Sequence, residues 1–228
     1  EKIPVLISDE NEALLAAKAA GRAIVGLWRE DAQGDEWCVA DTLIADMEVA
    51  DERFLERIAR RRLGLPWDIC ETERLTIREI AERDYEEIVK NRVDESLDTV
   101  ENVADYTKRH YEVFEFGFWT VEEKKSGSLV GVVGFRIPQD DGIRGVDYYV
   151  LSLSDKNSWN DTLEIGYHIF PEYRRKGYAS EACRAVIEYA REEFGIIRFI
   201  ARIGKENIVS KKMAESLGFV KTEEDPFD

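Results

Sequence analysis

The chain is poor in the residues that build metal centres and disulfide frameworks. Its 228 residues include only three cysteines and two histidines. Cys38, Cys70 and Cys183 stand far apart, their number is odd and no CxxC occurs. Neither a disulfide framework nor a zinc site follows, and a reducing cytoplasm is the expected setting. His110 and His168 leave little for a histidine-rich centre, so no metal is expected. Positive charge is also short, with 32 Lys+Arg against 48 Asp+Glu and a formal charge of −16. Binding DNA or RNA through phosphates needs a net basic face, and so does docking on anionic lipid; neither partner is expected. No apolar run approaches the roughly 18 residues of a membrane span. The longest, AIVGLW (23–28) and SLVGVVGF (128–135), are strand-sized. The start carries no basic stretch of the kind that opens a secretory signal, so none is expected. What is present is a 44% hydrophobic composition, enough for a packed core. The length suits one domain of about 150 residues with a smaller companion.

Periodicity divides the chain at a boundary near Pro66–Glu73. Residues 1–66 alternate short strands and helices: PVLIS (4–8), a helix opened by Asp9 or Asn11 and closed at Gly21, AIVGLW (23–28), a polar loop EDAQGDE (30–36), CVADTLIADM (38–47), and the helix FLERIARRRLGL (54–65) with Gly64 at its end. Helices between short apolar strands predict a small parallel α/β unit. The boundaries drawn are 1–66 for this unit, 67–72 for a linker and 73–228 for the main domain. The main domain opens on LTIREI (75–80), a strand, and AERDYEEIVKNR (81–92), a helix. A charged, mostly helical stretch (94–114) precedes a hairpin formed by FGFWTVEE (116–123) and LVGVVGFRI (129–137). YYVLSL, within 139–161, fits either a strand or a loop. LEIGYHIF (163–170) is a strand. Ala179, Ala182, Cys183, Val186, Ile187, Ala190 and Phe194 then share one helical face up to Gly195. IIRFIARI (196–203) is a strand, Asn207 caps a last helix, and FVK (219–221) begins a final strand.

The chemistry concentrates in 163–219. Arg174-Arg175-Lys176-Gly177-Tyr178-Ala179 fits R-x-x-G-x-[GA] between a strand and a helix. This is the pattern of an anion cradle. Glycine lets the backbone turn so that successive N–H groups point into one space, and the helix N-terminus adds its partial positive charge. Residues 171–212 hold ten Lys+Arg and six Asp+Glu, a local +4 inside a chain of −16.

The order strand, Arg-rich glycine loop, helix, strand, and the helix carrying Asn207, Ser210, Gly218 and Phe219 resembles the GNAT superfamily, the Gcn5-related N-acetyltransferases. The resemblance covers about residues 73–222. TERLTIRE (72–79) and LEIGYHI (163–169) look most like the branch that includes ribosomal-protein alanine acetyltransferases. It implies an α/β (α+β) fold with a mixed, mostly antiparallel sheet flanked by helices, beside the Rossmann-like N-terminal module. It also implies an acetyl-coenzyme-A-dependent N-acetyltransferase acting on a primary amine. By position, residues 174–179 match the pyrophosphate loop, and the strand Glu164–Phe170 matches the one that pairs with the pantetheine arm. A backbone N–H at Ile169 or its neighbour would polarise the acetyl carbonyl. Asn207 matches a residue near the pantetheine, and Lys211 and Lys212 are placed where they could reach a coenzyme phosphate.

An attacking ammonium must first lose a proton, so a base is expected. Glu164, flanked by apolar residues, is the candidate, and burial is expected to raise its pKa. His168, two alternations along the same strand face, is the alternative. Relatives supply a tyrosine seven residues after the asparagine to assist the leaving thiolate. Here that position is Ala214, and Ser210 is the possible substitute. The missing tyrosine makes a non-catalytic acyl-coenzyme-A-binding module the rival reading. No cysteine falls on the acyl strand, which favours direct attack in a ternary complex. Tyr111, Phe114, Phe116, Phe118 and Trp119 read as core. Tyr148, Tyr149 and Trp159, with Asp140, Asp141, Asp147 and Asp155, read as an acidic aromatic wall for a cationic acceptor. Residues 1–66 resemble a fragment of the HAD-type hydrolase fold without its D-x-D nucleophile strand. They read as a module for docking, dimerisation or covering the acceptor groove, with a homodimer as one outcome.

Overall fold

The computed structural model describes residues 4–28, 38–139, 143–154 and 161–223. The loop read at 30–36 lies outside them. The chain divides into two compact units: residues 1–67 with 105–115, and residues 68–104 with 116–228.

In the first unit, β1 (Val5–Ser8) pairs in parallel with β2 (Ala23–Leu27), and β2 with the short β3 (Leu43–Ile44). Parallel neighbours need a crossover, and α1 (Asn11–Ala19) supplies it. Neither Asp9 nor Asn11 caps this helix. Its N-cap is Glu10, with no side-chain cap bond, and the Asn11 side chain instead accepts from the Val39 N–H at 3.1 Å. Helix α2 (Glu52–Arg62) is capped as its sequence invites, Asp51 accepting from the Phe54 N–H at 2.7 Å. Ala23, Val25, Ile44 and Ile58 form the core of this unit, with Val5, Ile7, Leu27 and Phe54 packed on it. Of the strand with a turn read over 38–47, the strand is two residues long. Asp46 accepts from the Glu48 N–H and turns the chain into a 3-10 helix at Met47–Val49.

The second unit is an eight-stranded sheet with strand order β11-β8-β10-β9-β7-β6-β5-β4. Its strands are β4 (Asp68–Glu71), β5 (Leu75–Arg78), β6 (Phe118–Glu123), β7 (Ser128–Arg136), β8 (Val146–Ser152), β9 (Thr162–Ile169), β10 (Arg198–Gly204) and β11 (Val220–Thr222). All neighbours are antiparallel except β9 and β10. Two readings change. Residues 68–71, read as linker, are an edge strand paired with β5, and the undecided YYVLSL belongs to β8. Its helices are α3 (Tyr85–Lys90), α5 (Tyr178–Phe194) and α6 (Ile208–Ser216), while α4 (Val100–Phe114) starts in this unit and belongs to the first from residue 105 on. The helix read from residue 81 begins as a tight 3-10 turn. The Asp84 carboxylate draws in the Ala81 N–H at 2.7 Å and the buried Arg78 guanidinium at 2.6 and 3.0 Å. Helix α5 lays the predicted apolar stripe on the sheet, and Tyr189 and Phe135 meet Trp119 edge-on at 5.7 and 5.8 Å. Among the described residues no helix is long and apolar enough to cross a membrane.

Candidate active site

The sheet opens at one place. Strands β9 and β10 pair in parallel over Thr162–Glu164 and Arg198–Ile200 only. Beyond that, β9 follows β7 to Ile169 and β10 follows β8 to Gly204. The strands separate toward their carboxyl ends, where ligands of open sheets with parallel strands usually sit. A cavity of about 190 Å³ fills the gap, lined among others by Glu164, Gly166, Tyr167, Cys183, Asn207 and Ser210. The Phe170 N–H donates to the Val130 carbonyl on the β7 side. By alternation along an antiparallel pair, the N–H groups of Tyr167 and Ile169 point to the other, open edge. The Ile169 carbonyl confirms that direction, because it accepts from Arg174 Nε at 2.9 Å.

The glycine loop follows directly. Arg175 (φ +62) and Gly177 (φ +84) both adopt left-handed backbone, two residues apart, and Gly177 is the N-cap of α5. Such alternation gathers N–H groups into a concave anion nest, and the free first-turn N–H groups of α5 extend it. Among the described residues Arg175 and Lys176 have no carboxylate partner, and Lys176 Nζ rests 4.9 Å from the Tyr173 ring centre. Arg174 and Lys176 are exposed, and Ala179 is half-buried in the first turn of α5. Tyr178 is buried, its hydroxyl donating to Glu123. That bond, ahead of burial, pushes the phenol up from its ordinary range.

Arg74 is a loop-building residue that the local motif could not disclose. Its Nη1 donates to the Lys176 carbonyl at 2.9 Å, its Nε to Glu181 at 2.7 Å, and its guanidinium lies 4.9 Å over the Tyr178 ring. Thr72 also donates to Glu181, at 2.5 Å. The TER triplet before β5 thus braces the cradle from about a hundred positions away in sequence.

The reactive candidates separate into two sets. Glu164, Asn207 and Ser210 line the one cavity, and His168 does not. Glu164 is 2% exposed, as its apolar flanks suggest. It is not isolated: Arg136 donates to Oε1 from Nε (2.9 Å) and Nη2 (2.6 Å), and Arg202 Nε lies 2.9 Å from Oε2. Its apolar sequence neighbours are as read, but its polar contacts come from other strands. Arginines on both neighbouring strands clamp it, and sequence reasoning missed both. His168 Nε2 is sealed from solvent without a hydrogen-bond partner among the described residues, and burial, then the Arg174 charge, pushes the imidazole below its ordinary range. The Asn207 side chain accepts from the Ser210 N–H at 3.1 Å and caps α6 as predicted. Ser210 Oγ in turn lies 2.8 Å from the Tyr167 hydroxyl, a partner that sequence reasoning also missed. Alternation puts Tyr167 on the helix side of β9, and only the three-residue gap between Asn207 and Ser210 hinted at what would meet it.

The acidic aromatic wall does not assemble among the described residues. Tyr149 is 2% exposed and belongs to the core. Asp147 is held by Lys211 at 2.6 Å and Lys221 at 3.4 Å, and the Lys211 bond depresses its carboxyl. That pairing also engages Lys211, for which the sequence left both a solvated helix face and a coenzyme phosphate open. Asp140, Asp141, Asp155 and Trp159 lie outside the described residues. Trp119 and Tyr111 are core residues as read, while Phe114 is 39% exposed.

The candidate site is thus a split sheet with a backbone anion nest at its mouth. The acetyltransferase (GNAT) domain family matches residues 74–220. An uncharacterized N-acetyltransferase of Bacillus subtilis, YoaA, is 26% identical over 165 residues, 67% of this chain and 83% of that protein. Two solved structures share the fold. Spermidine N-acetyltransferase from Vibrio cholerae, solved with CoA and spermine, is 17% identical, with a TM-score of 0.51 over 66% of this chain and 83% of that one. Ribosomal-protein-S5-alanine acetyltransferase from Vibrio fischeri is 18% identical, with a TM-score of 0.50 over 66% and 82%. The chain belongs to the GNAT acetyltransferase family and is an N-acetyltransferase. The family match begins at residue 74, so the likeness of residues 1–66 to a hydrolase fragment lies outside it.

Proposed function

We propose that this enzyme transfers the acetyl group of acetyl-coenzyme A to a primary amine by direct attack in a ternary complex. The observation that carries this reading is the open β9–β10 gap, flanked at the carboxyl end of β9 by the 174–179 nest. The diphosphate rests on the N–H groups of 175–179, with Arg175 and Lys176 beside it. The pantetheine arm enters the gap, meets the open-edge backbone of β9 and passes the Asn207 amide. The Ile169 N–H polarises the acetyl carbonyl as charge develops on its oxygen. The amine nitrogen attacks the carbonyl carbon, the C–S bond breaks, and the electron pair leaves on sulfur. Cys183 lines the cavity, but burial pushes its thiol up to about 12, which leaves no thiolate to form an acyl-enzyme.

Glu164 collects the amine's proton in this reading. Both of its oxygens already face guanidinium groups, so it accepts through a water in the cavity or by releasing one arginine contact. The first unit enters as a docking or dimerisation module, with Leu15, Leu43, Met47 and Val49 exposed on it. Coenzyme release measured over an amine panel tests the whole reading, and absence of release with every amine would refute it. Glu164→Gln should reduce kcat by about a hundredfold, at the low end for loss of a general base. Coenzyme affinity should be kept. An unaltered kcat would reduce Glu164 to a clamp between strands.

A further inference from the structure

Tyr167 leaves β9 toward α6, and its hydroxyl lies 2.8 Å from Ser210 Oγ, with both residues lining the β9–β10 cavity. Of two hydroxyls in contact, the phenol is the more acidic by several units and is the better donor. Tyr167 therefore donates and Ser210 accepts. The Ser210 proton then has no acceptor among the described residues and is directed away from Tyr167, into the cavity. The Ser210 backbone is fixed as well, because its N–H is held by the Asn207 side chain at the start of α6. Burial pushes the Tyr167 phenol upward, with Ser210 opposing weakly, so the ring stays a neutral donor throughout the working pH range.

We propose that Tyr167 is a positioning residue that aims the Ser210 hydroxyl at the departing thioester sulfur. This rests on the acetyl-transfer reading above. Ala214 cannot supply a hydroxyl to the sulfur from α6, and a phenol from β9, acting through a serine one turn earlier on α6, fills that need. As the C–S bond breaks, the Ser210 O–H hydrogen-bonds to the sulfur that takes the electron pair. The thiolate takes its proton from solvent on release, so neither Ser210 nor Tyr167 changes its protonation state.

The test compares Tyr167→Phe, Ser210→Ala, Ser210→Thr and the Tyr167→Phe/Ser210→Ala double variant of the full chain. The readouts are kcat, KM and coenzyme affinity by titration calorimetry. Tyr167→Phe should lower kcat about tenfold, the scale of one lost hydrogen bond in the transition state, with coenzyme affinity within about twofold of wild type. Ser210→Ala should lose at least as much, Ser210→Thr should retain the rate, and the double variant should lose no more than Ser210→Ala alone. An unchanged kcat in Tyr167→Phe, losses that multiply, or a fall in affinity matching the fall in kcat would each overturn the assignment. Should Tyr167→Phe fail to fold, equal rates for Ser210→Ala and wild type would overturn it on their own. Wild-type protein that releases no thiol with any amine would remove the parent reading, and this inference with it. Wild-type turnover with an indifferent Tyr167→Phe would remove this inference alone.

Discussion

Charge and backbone conformation at Gly177 can be separated with one pair of substitutions. Gly177 holds φ +84, and a Cβ there would first meet Arg74 Nη2 at 3.3 Å. Asparagine and aspartate tolerate left-handed backbone better than other non-glycine residues and have nearly the same shape. Gly177→Asn and Gly177→Asp therefore share the conformational cost and the push on Arg74. They differ by one negative charge at the mouth of the nest. A unit charge about 4 Å from a single phosphate charge interacts by about 1 kcal/mol in bulk water and about 4 kcal/mol at an effective dielectric of 20. With tenfold per 1.4 kcal/mol, the Asp variant should bind coenzyme A between about fivefold and several hundredfold more weakly than the Asn variant. The assay is titration calorimetry at low salt and at 1 M salt. The Debye length falls from about 10 Å at 0.1 M to about 3 Å at 1 M, so the gap between the variants must shrink. Equal affinities at low salt, or a gap indifferent to salt, would mean that no anion sits at 174–179.

Two further expectations concern stability and titration. Asp84→Asn leaves the buried Arg78 guanidinium, 4% exposed, without its bidentate partner, and Glu122 at 3.0 Å is the remaining carboxylate. Denaturant unfolding should show a loss of about 3–5 kcal/mol, and a loss below about 1 kcal/mol would refute the buried-pair argument. His110, through burial, and His168, through burial and then the Arg174 charge, both have depressed imidazoles. Their contribution to stability is complete above the ordinary imidazole value near 6.5 and is lost as pH falls from there through the folded value. Proton NMR titration should place both midpoints below about 6.5, and a midpoint at or above it would contradict the burial assigned to that ring.

What could be read from the chain was what neighbouring residues encode. The strand–glycine–helix cradle lies within six consecutive positions, the Asn207 cap acts over three, and the apolar stripe of α5 follows the helical repeat. The β9–β10 gap was legible only through resemblance, since no periodicity says where two strands stop pairing. The misplaced boundaries have local causes of their own. The linker at 67–72 lacks the alternation of a half-buried strand because β4 is a short edge with an irregular register between Asp68 and Cys70. In the strand with a turn read at 38–47, the strand is shorter than its apolar residues suggest, and Asp46 fixes the turn by accepting from its own backbone two residues on.

Partners distant in sequence were invisible, and they decide the electrostatics of the site. Glu164 was read by its apolar neighbours in sequence, yet what governs it is the pair of arginines that β7 and β10 bring beside it. Asp147 was counted toward an acidic acceptor wall, yet Lys211 of α6 and Lys221 of the neighbouring strand β11 claim it. Arg74 lies outside the +4 stretch of 171–212 and still adds a cation to its loop. A net charge of −16 therefore limits the partners the whole molecule can attract at a distance, where charges act as a sum. At the cavity, each charge acts through the contact it already has, and its partner there comes from another strand or helix.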